Sequence, residues 1–274
     1  MNVASIDGRE VEVREGETIL EAARRIGIDV PTLCSVDGLK PDGGCRMCLV
    51  RSEGGRRPVA ACLTRLQPGM KIVTEDDGLL ALRRTILGMY QESKEVTGFC
   101  VGTTGAGRFR ELLERHGLGV PDEERRAAVD DSHPLLRFDR SACITCRLCL
   151  NACEQVQGQF VYGVAGRGPS TRIVYGPGGR FIDGPCVACG ACVDVCPTGA
   201  VGDRDREGGG EAGPDTRRCT TVCGYCGVGC RVEVEVAKNR VQRVNGVADA
   251  VVNRGHLCVK GRFAHRWHPV SYTH

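Results

Sequence analysis

The stretch that decides the architecture runs from Cys143 to Pro197 and contains two similar cysteine runs. The first reads Cys143-x2-Cys146-x2-Cys149-x3-Cys153, and the second reads Cys186-x2-Cys189-x2-Cys192-x3-Cys196-Pro197. This doubled spacing is typical of proteins with two [4Fe–4S] clusters, in which each cluster takes its fourth cysteine from the other run. We therefore predict one cluster on Cys143, Cys146, Cys149 and Cys196, and a second cluster on Cys186, Cys189, Cys192 and Cys153.

Structural zinc is the main alternative for cysteines at this density. Zinc sites use pairs of Cys-x2-Cys at longer separations, and they rarely add a third cysteine at the same pitch. In each run here, three cysteines follow one another at the same short pitch, so their thiolates can converge on one face of a cubane. The pattern therefore favours iron–sulfur clusters, and the exchanged fourth cysteine ties the two halves into one unit.

The composition indicates small domains rather than one large core. The chain has 274 residues, 38 glycines and 18 cysteines, and aromatic residues make up only 4% of it. This length allows one to three domains. Small cores supply little stability by themselves, and bound metal centres commonly provide the rest.

The N-terminus and the cysteine usage indicate a reducing, cytoplasmic setting. Residues 1–8 have neither a basic start nor an apolar run, so they do not resemble a signal peptide. No uninterrupted apolar stretch in the sequence is long enough to span a bilayer. A secreted disulfide framework would also use many cysteines, but these cysteines cluster at metal-ligand pitch. We therefore expect a cytoplasmic protein with no membrane span.

The formal net charge of +3 does not indicate a nucleic-acid partner. Cysteines that bind metal are deprotonated, so the cluster-loaded protein is more acidic than this count suggests. The arginine pairs are scattered along the chain and form no basic stripe, which predicts that they lie on solvated faces. These pairs are Arg24-Arg25, Arg56-Arg57, Arg83-Arg84, Arg125-Arg126 and Arg217-Arg218.

Residues 1–75 are predicted to form a domain of mixed strands with one helix. Asp7-Gly8 separates two alternating stretches and signals a hairpin, and Thr18 can cap a helix that runs to Arg25 and stops at Gly27. A Cys-x2-Cys pair with one cysteine well before it and one well after it is the plan of a plant-type [2Fe–2S] site, although ten residues replace four in the first gap. The predicted ligands are Cys34, Cys45, Cys48 and Cys62.

This first domain resembles a known family in several short motifs. They are Pro31-Thr32-Leu33-Cys34, Gly43-Gly44-Cys45-Arg46-Met47-Cys48-Leu49-Val50, Ala60-Ala61-Cys62-Leu63 and Gly69-Met70-Lys71-Ile72-Val73-Thr74. The family has a β-grasp [2Fe–2S] domain, which is shared by the large iron–sulfur subunit of complex I, iron-only hydrogenases and NAD-dependent formate dehydrogenase α subunits. The glycines before Cys45 leave room for backbone N–H groups to approach sulfur.

The connector, residues 76–134, is predicted to be helical. Asp76–Ser93 shows a 3.6-residue apolar stripe, and a second helix is expected over Arg110–His116. In the resembling family a cluster with one His and three Cys follows the first helix. Here Cys100 is the sole cysteine in this region, and we interpret His116 and His133 as surface or linker histidines, so we predict that this cluster is absent.

The ferredoxin-like block covers residues 135–201, and a linker follows over residues 202–216. The gap between Cys153 and Cys186 contains two strand-like stretches, Phe160–Val164 and Arg172–Tyr175, which predict an insertion that minimal ferredoxins lack. Gly208-Gly209-Gly210 predicts that the linker is flexible.

The last segment, residues 217–274, is predicted to hold a fourth site. Cys223-x2-Cys226-x3-Cys230 is followed by Cys258, and two alternating stretches meet at Lys238-Asn239 as a small sheet. Thr221–Cys230 and Gly255–Phe263 resemble the opening of molybdopterin oxidoreductases. The resemblance implies a third [4Fe–4S] cluster on Cys223, Cys226, Cys230 and Cys258, and it implies that Lys260 lies on the electron path to a pterin.

The cysteine count closes on four sites. One [2Fe–2S] and three [4Fe–4S] clusters use sixteen of the 18 cysteines, which leaves Cys100 and Cys219. Cys219 is a spare or alternative ligand for the fourth site, or, as we prefer, a buried inert thiol. The predicted fold class is α+β with several domains: β-grasp, two-cluster ferredoxin-like, and a small antiparallel sheet.

Taken together, the motifs resemble the N-terminal electron-transfer part of a cytoplasmic molybdenum- or tungsten-dependent formate dehydrogenase α subunit. That resemblance implies a Mo/W bis-pterin guanine dinucleotide cofactor in a catalytic part or partner, and a flavin- and NAD-binding diaphorase-type partner. The family's metal-ligating Cys or selenocysteine is not in this sequence, so we expect this polypeptide alone to move electrons and to leave formate unoxidised. The alternatives are an independent electron carrier, a nitrate reductase, or the iron–sulfur subunit of a hydrogenase or NADH dehydrogenase complex.

Overall fold

The computed structural model describes residues 2–92, 107–119, 129–177, 179–204 and 215–267. The fold is mixed α and β with four small sheets in this part of the chain, and the predicted fold class is confirmed. Cys100 and residues 205–214 of the predicted linker lie outside the described residues.

The first sheet has five strands in the order β2-β1-β5-β3-β4, with β1 and β5 parallel. Helix α1 packs its buried residues against this sheet. The elements are β1 Val3–Ile6, β2 Arg9–Glu12, α1 Ile19–Arg25, β3 Leu49–Ser52, β4 Val59–Ala60 and β5 Lys71–Val73.

Two local signals that the sequence predicted form as expected. Asp7 and Gly8 both have positive φ, 48° and 76°, which gives the right-handed twist that a tight hairpin needs between β1 and β2. Thr18 and Glu21 form a reciprocal capping box at the start of α1. Gly27, with φ 76°, follows the end of the helix.

Two helices follow, α2 Asp77–Glu92 and α3 Gly107–Arg115. The prediction that Arg83 is solvated is wrong: it is 1% exposed, whereas Leu82 is 40% exposed. The interpretation of His116 as a surface residue is also wrong, since it is buried with its Nδ1 2.8 Å from the carbonyl oxygen of Leu112. Helix α3 itself packs Phe109, Leu112 and Leu113 into an apolar cluster with Cys34 and Cys45.

The middle unit carries a three-stranded sheet, β10-β7-β6, and a separate hairpin of β8 and β9. The hairpin is the predicted insertion, and it pairs Tyr162 with Tyr175. The elements are β6 Val129–Asp130, β7 Leu136–Asp139, α4 Leu148–Ala152, β8 Tyr162–Ala165, β9 Arg172–Tyr175, α5 Ala191–Val195 and β10 Val201–Asp203.

His133 lies in this unit and is buried against Phe181, so its interpretation as an exposed linker residue is wrong. Its Nδ1 accepts the backbone N–H groups of Leu135 and Leu136. Burial, together with the nearby charge of Arg204, lowers the pKa of His133, which keeps the ring neutral and able to accept.

The last unit is a three-stranded antiparallel sheet, β11-β12-β13, followed by a short helix. Lys238 and Asn239, with φ of 50° and 57°, make the predicted turn, whereas β11 was not predicted. The elements are β11 Arg217–Val222, β12 Arg231–Ala237, β13 Arg240–Gly246 and α6 Val259–Phe263. In the part of the chain that the structure describes, no helix has the length and apolar character to cross a bilayer.

Candidate metal centres

The four cysteines predicted for the [2Fe–2S] site are buried and come together as two pairs. The Cys45 backbone N–H donates to Cys34 Sγ at 3.4 Å, and the Sγ atoms of Cys48 and Cys62 lie 3.3 Å apart. Two neighbouring pairs of thiols fit a two-iron cluster, because each tetrahedral iron takes two cysteines.

A hydrogen bond within each pair lowers the pKa of one of its two thiols. The hydrogen bond with Cys45 lowers the pKa of Cys34 to about 6, against the effect of burial. In the same way, the hydrogen bond with Cys62 lowers the pKa of Cys48 to about 7. Metal binding releases the thiol protons, since a metal takes cysteine as thiolate.

The cysteine loop is held from behind by Arg83 of α2. Its guanidinium donates to the carbonyl oxygens of Met47 at 3.3 Å, Leu49 at 3.1 Å and Thr74 at 2.7 Å. Burial lowers the pKa of Arg83, and Glu75 at 3.8 Å partly opposes this effect. Sequence reasoning missed this role, although the position of Arg83 within the apolar stripe of α2 was a signal.

The cysteines of the predicted first [4Fe–4S] site line one cavity. Its other walls include apolar side chains, among them Phe138 and Val201. Burial raises the pKa of Cys149, and the charges of neighbouring thiols raise it further. The thiols of its own predicted group have a larger effect than Cys192 of the other group. The four cysteines on this cavity are Cys143, Cys146, Cys149 and Cys196.

The cysteines predicted for the second [4Fe–4S] site influence one another electrostatically. Burial raises the pKa of Cys186 and of Cys189, and the charge of Cys153, from the first run, adds to both shifts. Burial raises the pKa of Cys192 as well, and Cys189, Cys186 and Cys153 act on it in the same direction. Cys153 of the first run therefore lies near the cysteines of the second run, and its assignment to their cluster stays a prediction.

Both sites are built on the same backbone shape. Thr145 and Ala188 have φ of 52° and 53°, and their N–H groups donate to Cys143 Sγ and Cys186 Sγ, each at 3.4 Å. A backbone in this left-handed conformation turns its amide toward the preceding thiol. Such amides stabilise a thiolate, and they fit a cluster in either site.

The fourth group lies on the last unit. Burial raises the pKa of Cys230, and the charges of Cys223, Cys226 and Cys258 add to the shift. The Cys223 N–H donates to the Cys230 carbonyl oxygen at 2.8 Å, while Cys226 and Cys258 are exposed. Lys260, the residue proposed for the electron path, is exposed on α6, which starts directly after Cys258.

Cys219 is exposed, so the prediction of a buried thiol is wrong. It lies on β11, an edge strand that is exposed along its whole length, and its Sγ is 3.9 Å from the Val234 carbonyl oxygen.

Helix α6 joins the fourth group to the second. Arg262 is buried, donates its Nε to the Cys189 carbonyl oxygen at 3.0 Å, and forms an ion pair with Asp194. Phe263 packs into the core of the middle unit. The sequence placed Arg262 only as a motif residue after Lys260.

The [2Fe–2S] loop and the first [4Fe–4S] site meet in one apolar cluster. Cys34, Cys45 and Ile144 belong to it, and Cys146 packs against it. After burial and the charges of Cys196 and Cys143, the charge of Cys34 is among the causes that raise the pKa of Cys146. The first two groups are therefore neighbours across the boundary between the units.

Three family descriptions match successive parts of the chain. "2Fe-2S iron-sulfur cluster binding domain" matches residues 3–77. "4Fe-4S dicluster domain" matches residues 142–200. "Molybdopterin oxidoreductase Fe4S4 domain" matches residues 216–267.

Several known proteins are similar to nearly the whole chain. The NADPH-Fe(3+) oxidoreductase subunit alpha of Geobacter sulfurreducens is 31% identical over 271 residues, which are 96% of this chain and 31% of that protein. An NADH-quinone oxidoreductase subunit of Rhizobium meliloti is 33% identical over 265 residues, which are 94% of this chain and 30% of that protein. A putative formate dehydrogenase, YrhE, of Bacillus subtilis is 27% identical and covers 94% of this chain and 31% of its own length. The chain thus spans about a third of these relatives.

One solved structure is similar over most of its own length. A chain in the crystal structure of an NAD+-reducing [NiFe]-hydrogenase in the H2-reduced state is 30% identical, with a TM-score of 0.65. The match covers 77% of this chain and 91% of that chain.

Proposed function

The chain belongs to the family of iron–sulfur subunits that includes this chain of the NAD+-reducing [NiFe]-hydrogenase, and we propose that it carries electrons through four clusters in a formate dehydrogenase-type molybdopterin oxidoreductase. One observation carries the electron-transfer part: each cysteine group is a neighbour of the next or is linked to it by a side-chain contact. The charge of Cys34 raises the pKa of Cys146, which links the first two groups. The charge of Cys192 raises the pKa of Cys149, which links the middle two groups. Arg262, on the helix after Cys258, donates to the Cys189 carbonyl oxygen and links the last two.

The proposed ligands are those predicted from the spacing. An iron–sulfur cluster accepts and returns one electron at a time, so a row of clusters conducts between two reaction centres. This chain's own part is to hold the thiolates, bury those of the [2Fe–2S] site, and orient backbone amides toward sulfur.

The molybdopterin part of the proposal rests on the last unit. Residues 216–267 match a domain described for molybdopterin oxidoreductases. Cys226 and Cys258 are exposed, and so are Tyr225 and Val228 beside Cys226. An exposed cluster edge with apolar neighbours suits docking of a pterin-carrying part or partner, toward which Lys260 would conduct.

The hydrogenase alternative is favoured by the solved structure, which matches most of a hydrogenase chain. A hydrogenase iron–sulfur subunit would need another explanation for the cysteines after residue 216. In either case we propose a flavin- and NAD-binding partner as the far end of the electron path. The names of the similar proteins, which contain NADPH, NADH and NAD+, support such a partner.

Iron analysis tests the four clusters. The full chain, reconstituted without air, should bind about 14 irons, two in the first site and four in each of the others. Cys230→Ser should lower the count by about four. Cys219→Ser, from the same unit, should leave it unchanged. Bound zinc, or about half the expected iron in the unsubstituted protein, would refute the four-cluster assignment.

The substrate is tested on the native complex. A tag on this chain should co-purify a subunit that contains molybdenum or tungsten, and formate should reduce the clusters, as seen by EPR. Reduction by hydrogen, with nickel or iron in the partner instead, would select the hydrogenase alternative. Reduction by dithionite alone would leave an electron carrier without a formate reaction.

A further inference from the structure

The inserted hairpin β8–β9 contacts the second [4Fe–4S] site through hydrogen-bond donors. The Tyr162 hydroxyl donates to Cys192 Sγ at 3.3 Å. The backbone N–H of Val161, the residue before it, lies 3.5 Å from Cys153 Sγ. One short segment thus reaches two sulfurs of the same proposed cluster, and these sulfurs come from different cysteine runs.

Tyr162 is held firmly in this place. Its ring is packed among aromatic side chains, with centroid distances of 5.8 Å to Phe181, 6.4 Å to Tyr175 and 6.5 Å to Phe138. The residue is buried, so its hydroxyl does not exchange its sulfur partner for water. In such a dry setting a hydrogen bond to a charged acceptor is strengthened.

The hydroxyl contacts one proposed cluster and not its twin. The two sites share the amide contacts of Thr145 and Ala188, which have equal lengths. Tyr162 adds a hydroxyl to the second site. In the first site the side-chain contact that the structure gives is Thr198 Oγ1 to Cys196 Sγ, which is longer, at 3.7 Å.

We propose that Tyr162 is a positioning residue that raises the reduction potential of the second [4Fe–4S] cluster through its hydrogen bond to Cys192. The inference rests on the cluster assignment of the proposed function. Reduction adds one electron to the cluster and breaks no protein bond. The added charge spreads onto the sulfurs, so a donated hydrogen bond is stronger in the reduced state and stabilises it. Hydrogen bonds to sulfur are among the factors that set such potentials.

Tyr162 would therefore act on a cluster that lies between the first [4Fe–4S] site and the fourth cysteine group. Cys192 of this site is close enough to Cys149 of the first [4Fe–4S] site for its charge to raise the pKa of Cys149. Arg262, from the unit that carries the fourth cysteine group, donates to the Cys189 carbonyl oxygen. A raised potential there would make this cluster easier to reduce. The inserted hairpin would therefore tune the reduction potential of a cluster in addition to packing against the middle unit.

The test is an EPR-monitored redox titration of the full reconstituted chain carrying Tyr162→Phe. The equilibrium constant for reducing one [4Fe–4S] cluster should fall about tenfold, which equals about 59 mV for a one-electron couple. The potentials of the other clusters should stay in place. The matched control is Tyr175→Phe, which removes a buried hydroxyl from the paired strand, where it donates to Asp130 at 2.8 Å instead of sulfur.

Fluorotyrosine at position 162 gives a second readout. It keeps the ring and the hydroxyl and makes the hydroxyl a stronger donor, so the same potential should rise. Unchanged potentials in both variants, or an equal shift in Tyr175→Phe, would overturn the inference while the cluster signals themselves remain. Loss of [4Fe–4S] signals from the unsubstituted chain would instead overturn the proposed function.

Discussion

Replacing Arg83 with methionine tests how the [2Fe–2S] loop is held against α2. The guanidinium is buried and donates to three backbone carbonyl oxygens, those of Met47, Leu49 and Thr74. Methionine fills a similar volume but cannot donate. The three carbonyls would then lose a charged donor in a place where water does not replace it.

The magnitude follows from two opposing effects. A buried acceptor that loses its donor costs about 1–3 kcal/mol. Removing the guanidinium also removes the free-energy cost of burying its charge. Glu75 offsets little of that cost, because it lies 3.8 Å away and its side chain is half exposed. Taking about 1 kcal/mol for each of the three contacts, we expect a net loss of about 3 kcal/mol in the free energy of unfolding.

The assay is thermal unfolding of the full reconstituted chain, followed by the visible circular dichroism of the [2Fe–2S] cluster. The midpoint should fall by roughly 10 °C or more, since each kcal/mol shifts a small domain by several degrees. Arg83→Lys should fall at least as far, because a lysine keeps the charge but cannot fork to three carbonyls.

Arg51→Met is the control, since Arg51 pairs with Asp76 at the surface and such pairs contribute little. A lysine variant as stable as the unsubstituted protein would refute the reasoning, because charge alone would then suffice. So would an Arg83→Met midpoint equal to that of the control.

Two further predictions concern the middle unit. Although burial opposes it, hydrogen bonding from Ser132 lowers the pKa of Asp130, so its ionised form stabilises the fold above the unfolded pKa. Asp130→Asn should therefore have a lower free energy of unfolding than the unsubstituted chain at pH 7, measured by urea unfolding. This difference should shrink from about pH 5 downward. A difference that stays constant with pH would contradict the prediction. Gly190→Ala should destabilise more than Gly179→Ala in the same assay. Both have φ of 77°, but a Cβ at Gly190 would lie 2.4 Å from Arg262 Cδ and one at Gly179 would meet nothing within 4 Å; equal losses would show that the clash is relieved.

Local rules account for the parts of the fold that the sequence predicted. The hairpins at Asp7-Gly8 and Lys238-Asn239 and the helix capped by Thr18 depend on residues within a few positions of each other. The cysteine groups were equally accessible, because the ligand spacing within each run is a local property. Which cysteines share a cluster, and the identity of the bound clusters, stay predictions.

Burial of polar residues was not accessible from the sequence. Arg83 and Arg84 are an identical pair in the sequence, yet only Arg83 faces the cysteine loop and is buried. His133 is buried because Phe181 covers it, and Phe181 lies 48 residues further along the chain. Cys219 is exposed because β11 forms a sheet edge that the sequence did not predict. The partners that bury Arg83 and His133 are distant from them in the chain.

The contacts of Arg83 explain why a positive charge is placed behind a site of four thiols. The peptide between Met47 and Cys48 is planar and trans, so its C=O and N–H point in opposite directions. Arg83 binds the Met47 carbonyl, and the Cys48 N–H on the other side of the same peptide acts on the Cys48 thiol, whose pKa it helps to lower after the larger effect of Cys62. The guanidinium therefore fixes an amide toward sulfur and adds its own positive charge from the same direction. A neutral donor could do the first, and an exposed cation could do the second, but a buried arginine does both.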